Sequence, residues 1–146
     1  MKQIISTAVL IFAFCFAAFA QDAREIVDPE RYGKIPWKEE KFRLLNFLVY
    51  LSQNRANEGI LALEFDNKTP RNEKIKKLKK IVQFIDSKQF DRKQILFRIS
   101  EGDSESTTQW IIENNKFKWL KEEDENHRII KAEQFEQKIK KLFPKK

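Results

Sequence analysis

One cysteine, one histidine, three glycines and four prolines among 146 residues shut out several kinds of chemistry at the start. The lone Cys15 lies in the apolar N-terminal stretch, so no disulfide framework and no cysteine-based zinc set can be assembled. Three scattered glycines supply neither a phosphate-cradling loop nor a dinucleotide fingerprint, and no Gly-x-Ser-x-Gly elbow occurs. His127 has no second histidine to share a metal, and the one cysteine lies in the apolar N-terminal stretch. No metal, no cofactor and no catalytic residue is therefore expected, and the chain reads as a non-enzyme. Carboxylates are plentiful, so a small hydrolase built on an acidic pair stays as the lesser alternative.

What is present begins with Met1 to Ala20. Lys2 precedes an apolar run from Ala8 to Ala20 that is short for a bilayer span, and Ala18-Phe19-Ala20 before Gln21 has the form of a cleavage site. This predicts a signal peptide cut after Ala20 and a secreted or periplasmic protein. Phe14 before Cys15 does not suit a lipoprotein signal. No later segment approaches the length of a membrane span.

The 29 basic and 22 acidic residues leave a formal charge of +7, which favours anionic partners. Nucleic acid is not expected among them. Phe117-Lys118-Trp119-Leu120-Lys121 interleaves aromatics with bases, but it alternates as a half-buried strand does, and Glu122 to Glu125 follow and would repel phosphate.

The organising stretch is Ile60 to Ile99. Ile60 to Phe65 is an apolar run bounded by Gly59 and Asp66-Asn67, which predicts a buried strand. Thr69-Pro70 predicts an N-cap and first helical position. Ile75, Leu78, Ile81, Val82 and Ile85 then mark one apolar face, with Lys76, Lys77, Lys79 and Lys80 on the opposite arc. Ile95, Phe97 and Ile99 alternate as a second strand. Strand, helix and strand make a βαβ unit.

Around this unit, Ile26-Val27 is a candidate edge strand, and Gly33 and Pro36 mark a turn into a helix over Trp37 to Gln53. That helix is apolar on most of its circumference, leaving only Glu39, Arg43, Asn46 and Tyr50 as a polar strip, so it is expected to be covered on more than one side. Phe90 should anchor the loop before Ile95. Thr107 to Glu113 reads as a strand, Asn114-Asn115 as a hairpin turn into Lys116 to Leu120, and Lys121 to His127 as an acidic linker. Arg128 to Ile130 should be extended, with a final amphipathic helix from Lys131.

Several of these segments carry a resemblance. Tyr32-Gly33 leading to Glu40-Lys41-Phe42-Arg43-Leu44-Leu45-Asn46-Phe47, then Gly59-Ile60-Leu61, Phe90-Asp91-Arg92 before Ile95, and Thr107-x-x-Trp110-Ile111 are similar to secreted bacterial proteins of the OmpA-like C-terminal domain type. The likeness spans Val27 to Glu113. It implies an α+β fold: a two-layer sandwich with a mixed sheet, a central βαβ unit and helices on one face. Residues 21–113 would be that core, and residues 114–146 an extension of hairpin and helix packed on the same domain.

OmpA-like domains hold peptidoglycan through an aspartate and an arginine. The matching positions here are Asp66 and Lys80, while the family's Gly-His-Thr-Asp and Gly-x-Gly-Glu segments are absent. The expected role is non-catalytic binding in the cell envelope, with peptidoglycan or another anionic polymer as ligand. Asp66, Arg71 and Lys80 form the candidate contact set, and Lys76, Lys77 and Lys79 the supporting charge. A protein–protein module using the aromatic C-terminal extension is the alternative.

Overall fold

The computed structural model describes residues 29–53, 57–112 and 118–143. In chain order these give β1 (Glu30–Gly33), α1 (Trp37–Ser52), β2 (Glu58–Asp66), α2 (Arg71–Ser87), β3 (Ile95–Gly102), β4 (Ser106–Ile112), β5 (His127–Lys131) and α3 (Phe135–Leu142). Short 3-10 turns at Arg92–Gln94, Lys118–Lys121 and Ala132–Gln134 join them. The strands form one sheet in the order β1-β4-β2-β3-β5; β2 and β3 run parallel and the other pairings are antiparallel. The fold is α+β on a mixed sheet, with α2 as the crossover of a central βαβ unit.

Pleating alternates side chains between the two faces of the sheet. Leu61, Leu63 and Phe65 of β2 and Ile95, Phe97 and Ile99 of β3 point to one face. They share a core with Leu44, Phe47, Leu48 and Leu51 of α1, with Leu78, Ile81, Val82 and Ile85 of α2, and with Phe135, Ile139 and Leu142 of α3. Burial of each such side chain contributes roughly 1.5–3 kcal/mol. The apolar stripe of α2 is therefore turned inward as its spacing predicts, and Lys76, Lys79 and Lys80 are exposed.

Where the sequence is a poor guide, the causes are local. Both long helices start one residue after a proline: Pro36 and Pro70 are extended caps whose carbonyls accept from the amides three and four residues on. Thr69 is thus not the cap; its own amide closes a turn onto the Asp66 carbonyl at 2.9 Å. Helix α1 buries one face only. Phe42 (63 %), Leu45 and Val49 are exposed on the side away from the core, so the expectation that it is covered on more than one side is wrong. The edge strand is Glu30–Gly33, paired to β4; it falls where a turn was expected at Gly33, and it is too short for alternation to announce it. The Ile26-Val27 strand lies outside the described residues, as does the Asn114-Asn115 turn.

The second arm of the expected hairpin is also corrected. Its described part, Lys118 to Leu120, falls in a 3-10 turn (Lys118–Lys121), and the strand that follows is β5, which pairs with β3. Leu120 is drawn onto the outer face of the sheet, where it packs with Ile60, Ile112, Leu96 and Trp110 in a second, smaller core. Trp119 beside it stays exposed.

Arg98, buried on that outer face, fastens this segment. Its Nη1 donates to the carbonyls of Trp119, Leu120 and Glu122, each at 3.1 Å, and its Nη2 to Asp124 Oδ2 at 3.1 Å. Asp124 in turn accepts from the Asn126 and His127 amides at 2.8 Å and faces His127 Nδ1 at 2.7 Å. The His127 hydrogen bond foremost, then the Asn126 amide, holds the Asp124 carboxyl down at about 2.

Helix α1 packs tightly on the sheet at Gly59. A Cβ there would lie 2.4 Å from the Phe47 ring and 2.5 Å from Leu51 Cδ1, and both side chains are buried. Gly59→Ala is expected to cost about 1–3 kcal/mol through this overlap, read as a lower denaturation midpoint at unchanged slope. The Asp124 carboxyl, depressed below its unfolded value of about 4, contributes stability that is complete above pH ~4 and lost as pH falls through 2. Its carboxyl carbon should titrate near pH 2 by NMR, and His127→Ala should move that inflection upward.

Candidate functional site

A cleft opens between the β1–α1 connection, the β2–α2 turn and the lysine-bearing side of α2. It encloses about 340 Å³. Ile35, Trp37 and Phe65 give it apolar walls; Lys34, Lys76 and Lys80 stand around it with Glu73. Helix geometry puts Lys76, Lys77 and Lys80 on one side of α2, because residues three and four apart share a face. Trp37, at the first position of α1, presents its ring across the gap, edge-on to Phe84 and with the Lys80 ammonium 5.8 Å from the ring centroid.

The floor is a buried charge cluster. Lys77 Nζ donates to Glu105 Oε1 at 2.8 Å and lies 3.1 Å from Glu40 Oε1. Glu40 is only 4 % exposed, and its Oε1, though at ion-pair distance from Lys77, accepts no hydrogen bond among the described residues. One ammonium is thus shared between two carboxylates. Behind Glu40, burial first and then the Glu40 charge push the Tyr32 phenol above its ordinary range, so it stays neutral; Gln109 Nε2 donates to its oxygen at 3.2 Å.

The six residues singled out from the sequence divide. Lys76 and Lys80 line the cleft and make no ion pair among the described residues; Lys77 lines it but is committed to Glu40 and Glu105. Lys79 is exposed and points elsewhere. Asp66 does not line the cleft. Its Oδ1 accepts from the Lys68 amide at 2.8 Å and so shapes the β2–α2 turn. Arg71 is turned to the C-terminal helix, where it donates to the carbonyls of Phe143 and, at 3.0 Å, of Lys140. Those carbonyls lie at a helix end that lacks partners of its own, which explains the attraction. Asp66, Arg71 and Lys80 therefore do not converge; the cations that line the cleft beside Trp37 are Lys34, Lys76, Lys77 and Lys80.

No family model, curated protein or solved structure matches this chain. The site must be interpreted from its own chemistry. Among the described residues no helix is long and apolar enough to cross a membrane, and no three His, Cys, Asp or Glu side chains are grouped to hold a metal ion.

Lys34, Trp37, Glu40 and Glu105 were not foreseen as site residues. Trp37 and Glu40 sit one turn apart on α1, and only the packing of α1 beside α2 brings them to the lysines. Removing the shared cation should expose the strain of this arrangement. Lys77→Met is expected to cost about 3 kcal/mol because two poorly solvated carboxylates lose their counter-charge. Lys76→Met should stay within about 0.5 kcal/mol, and chemical denaturation of the two variants reads the difference.

Proposed function

We propose that the protein is a non-catalytic binding domain of the bacterial cell envelope, secreted or periplasmic, that holds an anionic glycan polymer in the cleft beside α2. Peptidoglycan is the first candidate. The observation that carries this reading is the cleft's mixed lining. Three cations without ion-pair partners among the described residues stand around an aromatic wall, above the buried pairing of Glu40 with Lys77. A carboxylate on the ligand would meet Lys34, Lys76 and Lys80. The apolar C–H face of a pyranose would lie on Trp37. The parallel βαβ unit within a mixed sheet supports the OmpA-like reading of the fold. The ligand grip of that family is not carried over, since Arg71 and Asp66 serve the fold instead. Lysine also meets a carboxylate as a point charge rather than a bidentate fork.

A second reading, a protein–protein module, is favoured by Phe42, Leu45 and Val49, which make an exposed apolar stripe at spacings of three and four along α1. It moves the expected contact from the aromatic C-terminal segment, of which Trp119 is exposed, to this helix.

Co-sedimentation of the purified protein with isolated peptidoglycan sacculi separates the two. Retention at low salt, weakened by added salt and lost in a Lys76→Glu/Lys80→Glu variant but kept in Lys79→Glu, is the expected result. No retention at low salt, or equal loss in Lys79→Glu, removes the cleft reading.

A further inference from the structure

The outward surface of the helical layer carries apolar and cationic side chains together. Helices α1 and α2 lie side by side on one face of the sheet, joined by the Trp37–Phe84 ring contact and the Glu40–Lys77 pair. The buried face of α1 runs through Leu44, Phe47, Leu48 and Leu51. At about 100° per residue, Phe42, Leu45 and Val49 fall on the far arc, on the half nearer α2. All three are exposed. Lys38 stands one turn before Phe42 and Lys41 one turn before Leu45, and both are exposed as well. The outer arc of α2 adds Lys76, Lys79 and Lys80, also exposed.

Little negative charge opposes these cations. Glu39 is taken by Arg43 at 2.9 Å, Glu40 is buried against Lys77, and Asp86 is held by Arg92. Among the described residues of the two helices, Glu73 is the one carboxylate outside an ion pair. Acid is collected instead on the other side of the sheet, where Glu122, Glu123 and Glu125 are exposed in the segment that Arg98 fastens. The molecule is thus electrically two-sided, and the apolar stripe of α1 lies on its positive side.

That combination decides what covers the stripe. A second copy, docked about a two-fold axis, would press two like-charged surfaces together. A protein partner is also a poor match, since lysine is depleted from protein–protein interfaces. A lipid surface uses both kinds of side chain: anionic headgroups meet the ammonium groups, while the aliphatic and aromatic side chains enter the boundary of the acyl chains. Lysine suits this setting because its stem lies along apolar surface with the charge kept among the headgroups. We infer that the outer face of α1 and α2 docks the protein flat on an anionic phospholipid bilayer. The protein lies on that bilayer without crossing it; no helix among the described residues is long and apolar enough to cross. Lys38, Lys41, Phe42, Leu45 and Val49 do not line the cleft, so the inference stands apart from the glycan reading.

The test is co-sedimentation with vesicles of the purified protein beginning at Gln21, which keeps every described residue. Vesicles of phosphatidylglycerol and phosphatidylcholine in equal parts are compared with phosphatidylcholine alone. Binding to the anionic vesicles that weakens with added salt, and little binding to the neutral ones, is expected. Phe42→Gln/Leu45→Gln and Lys38→Glu/Lys41→Glu should each lower the partition coefficient at least about tenfold. All four side chains are exposed, so circular dichroism and the denaturation midpoint should stay close to those of the wild type. Both variants should also keep sacculus retention. No binding to the anionic vesicles, equal binding to the neutral ones, or either variant binding like the wild type overturns the inference. So does a chromatographic mass that doubles with concentration and falls back in Phe42→Gln/Leu45→Gln, which gives the stripe to a second copy. Absence of sacculus binding in the wild type removes the cleft reading and leaves the membrane one intact.

Discussion

The contact on which the rest depends is that of the inner face of α2 with the parallel strands β2 and β3. Leu78, Ile81, Val82 and Ile85 share a core with Leu61, Leu63, Phe97 and Ile99, and all are close to fully buried. A helix seated this way has one choice of rotation. Its lysines are held outward by the same contact that holds its aliphatics inward, and the side facing α1 becomes a wall of the cleft. The charge there follows from packing, since the lysines have nowhere else to point.

Two long ion-pair systems adapt the charged side chains to this frame. Lys74, nearly buried on α2, pairs with Glu101 of β3 and lies 5.6 Å from the Phe143 ring. Arg92 joins the end of α2 to the start of α3, holding Asp86 in a two-pronged contact and Glu136 at 2.7 Å. These hydrogen bonds hold both carboxyls below their usual range. Lys77 differs from these pairs because it divides itself between Glu40 and Glu105. Glu40 Oε1, 3.1 Å from the shared ammonium, accepts no hydrogen bond among the described residues.

The central βαβ unit was legible because period and length agree: a strand-sized apolar run, a helix with aliphatics at three- and four-residue steps, and an alternating strand. The C-terminal helix was legible for the same reason. The site was legible only on α2, whose lysines are contiguous in sequence. Glu40, Trp37 and Lys34 join it through tertiary packing, which periodicity does not report. Helix α1 misled because its apolar residues exceed what its buried face needs. Arg71 misled because a cation beside an expected binding position looks the same whether it meets a ligand or a helix end. The segment around Leu120 alternates like a strand, yet one arginine from β3 captures its carbonyls, and no local pattern in Lys118 to Lys121 signals that capture.

Arg98 has a consequence for how the molecule fails. Among the described residues, the strip it grips is tied to the sheet by polar contacts and by one aliphatic side chain, Leu120, whereas the helical layer across the sheet is secured by a broad oily seam. Under mild stress such a strip peels away before the seam parts. What it uncovers is Ile60, Leu96, Trp110 and Ile112, side by side on three neighbouring strands. A folded molecule would then wear a sticky plate, and one guanidinium stands between a dispersed protein and a clumping one.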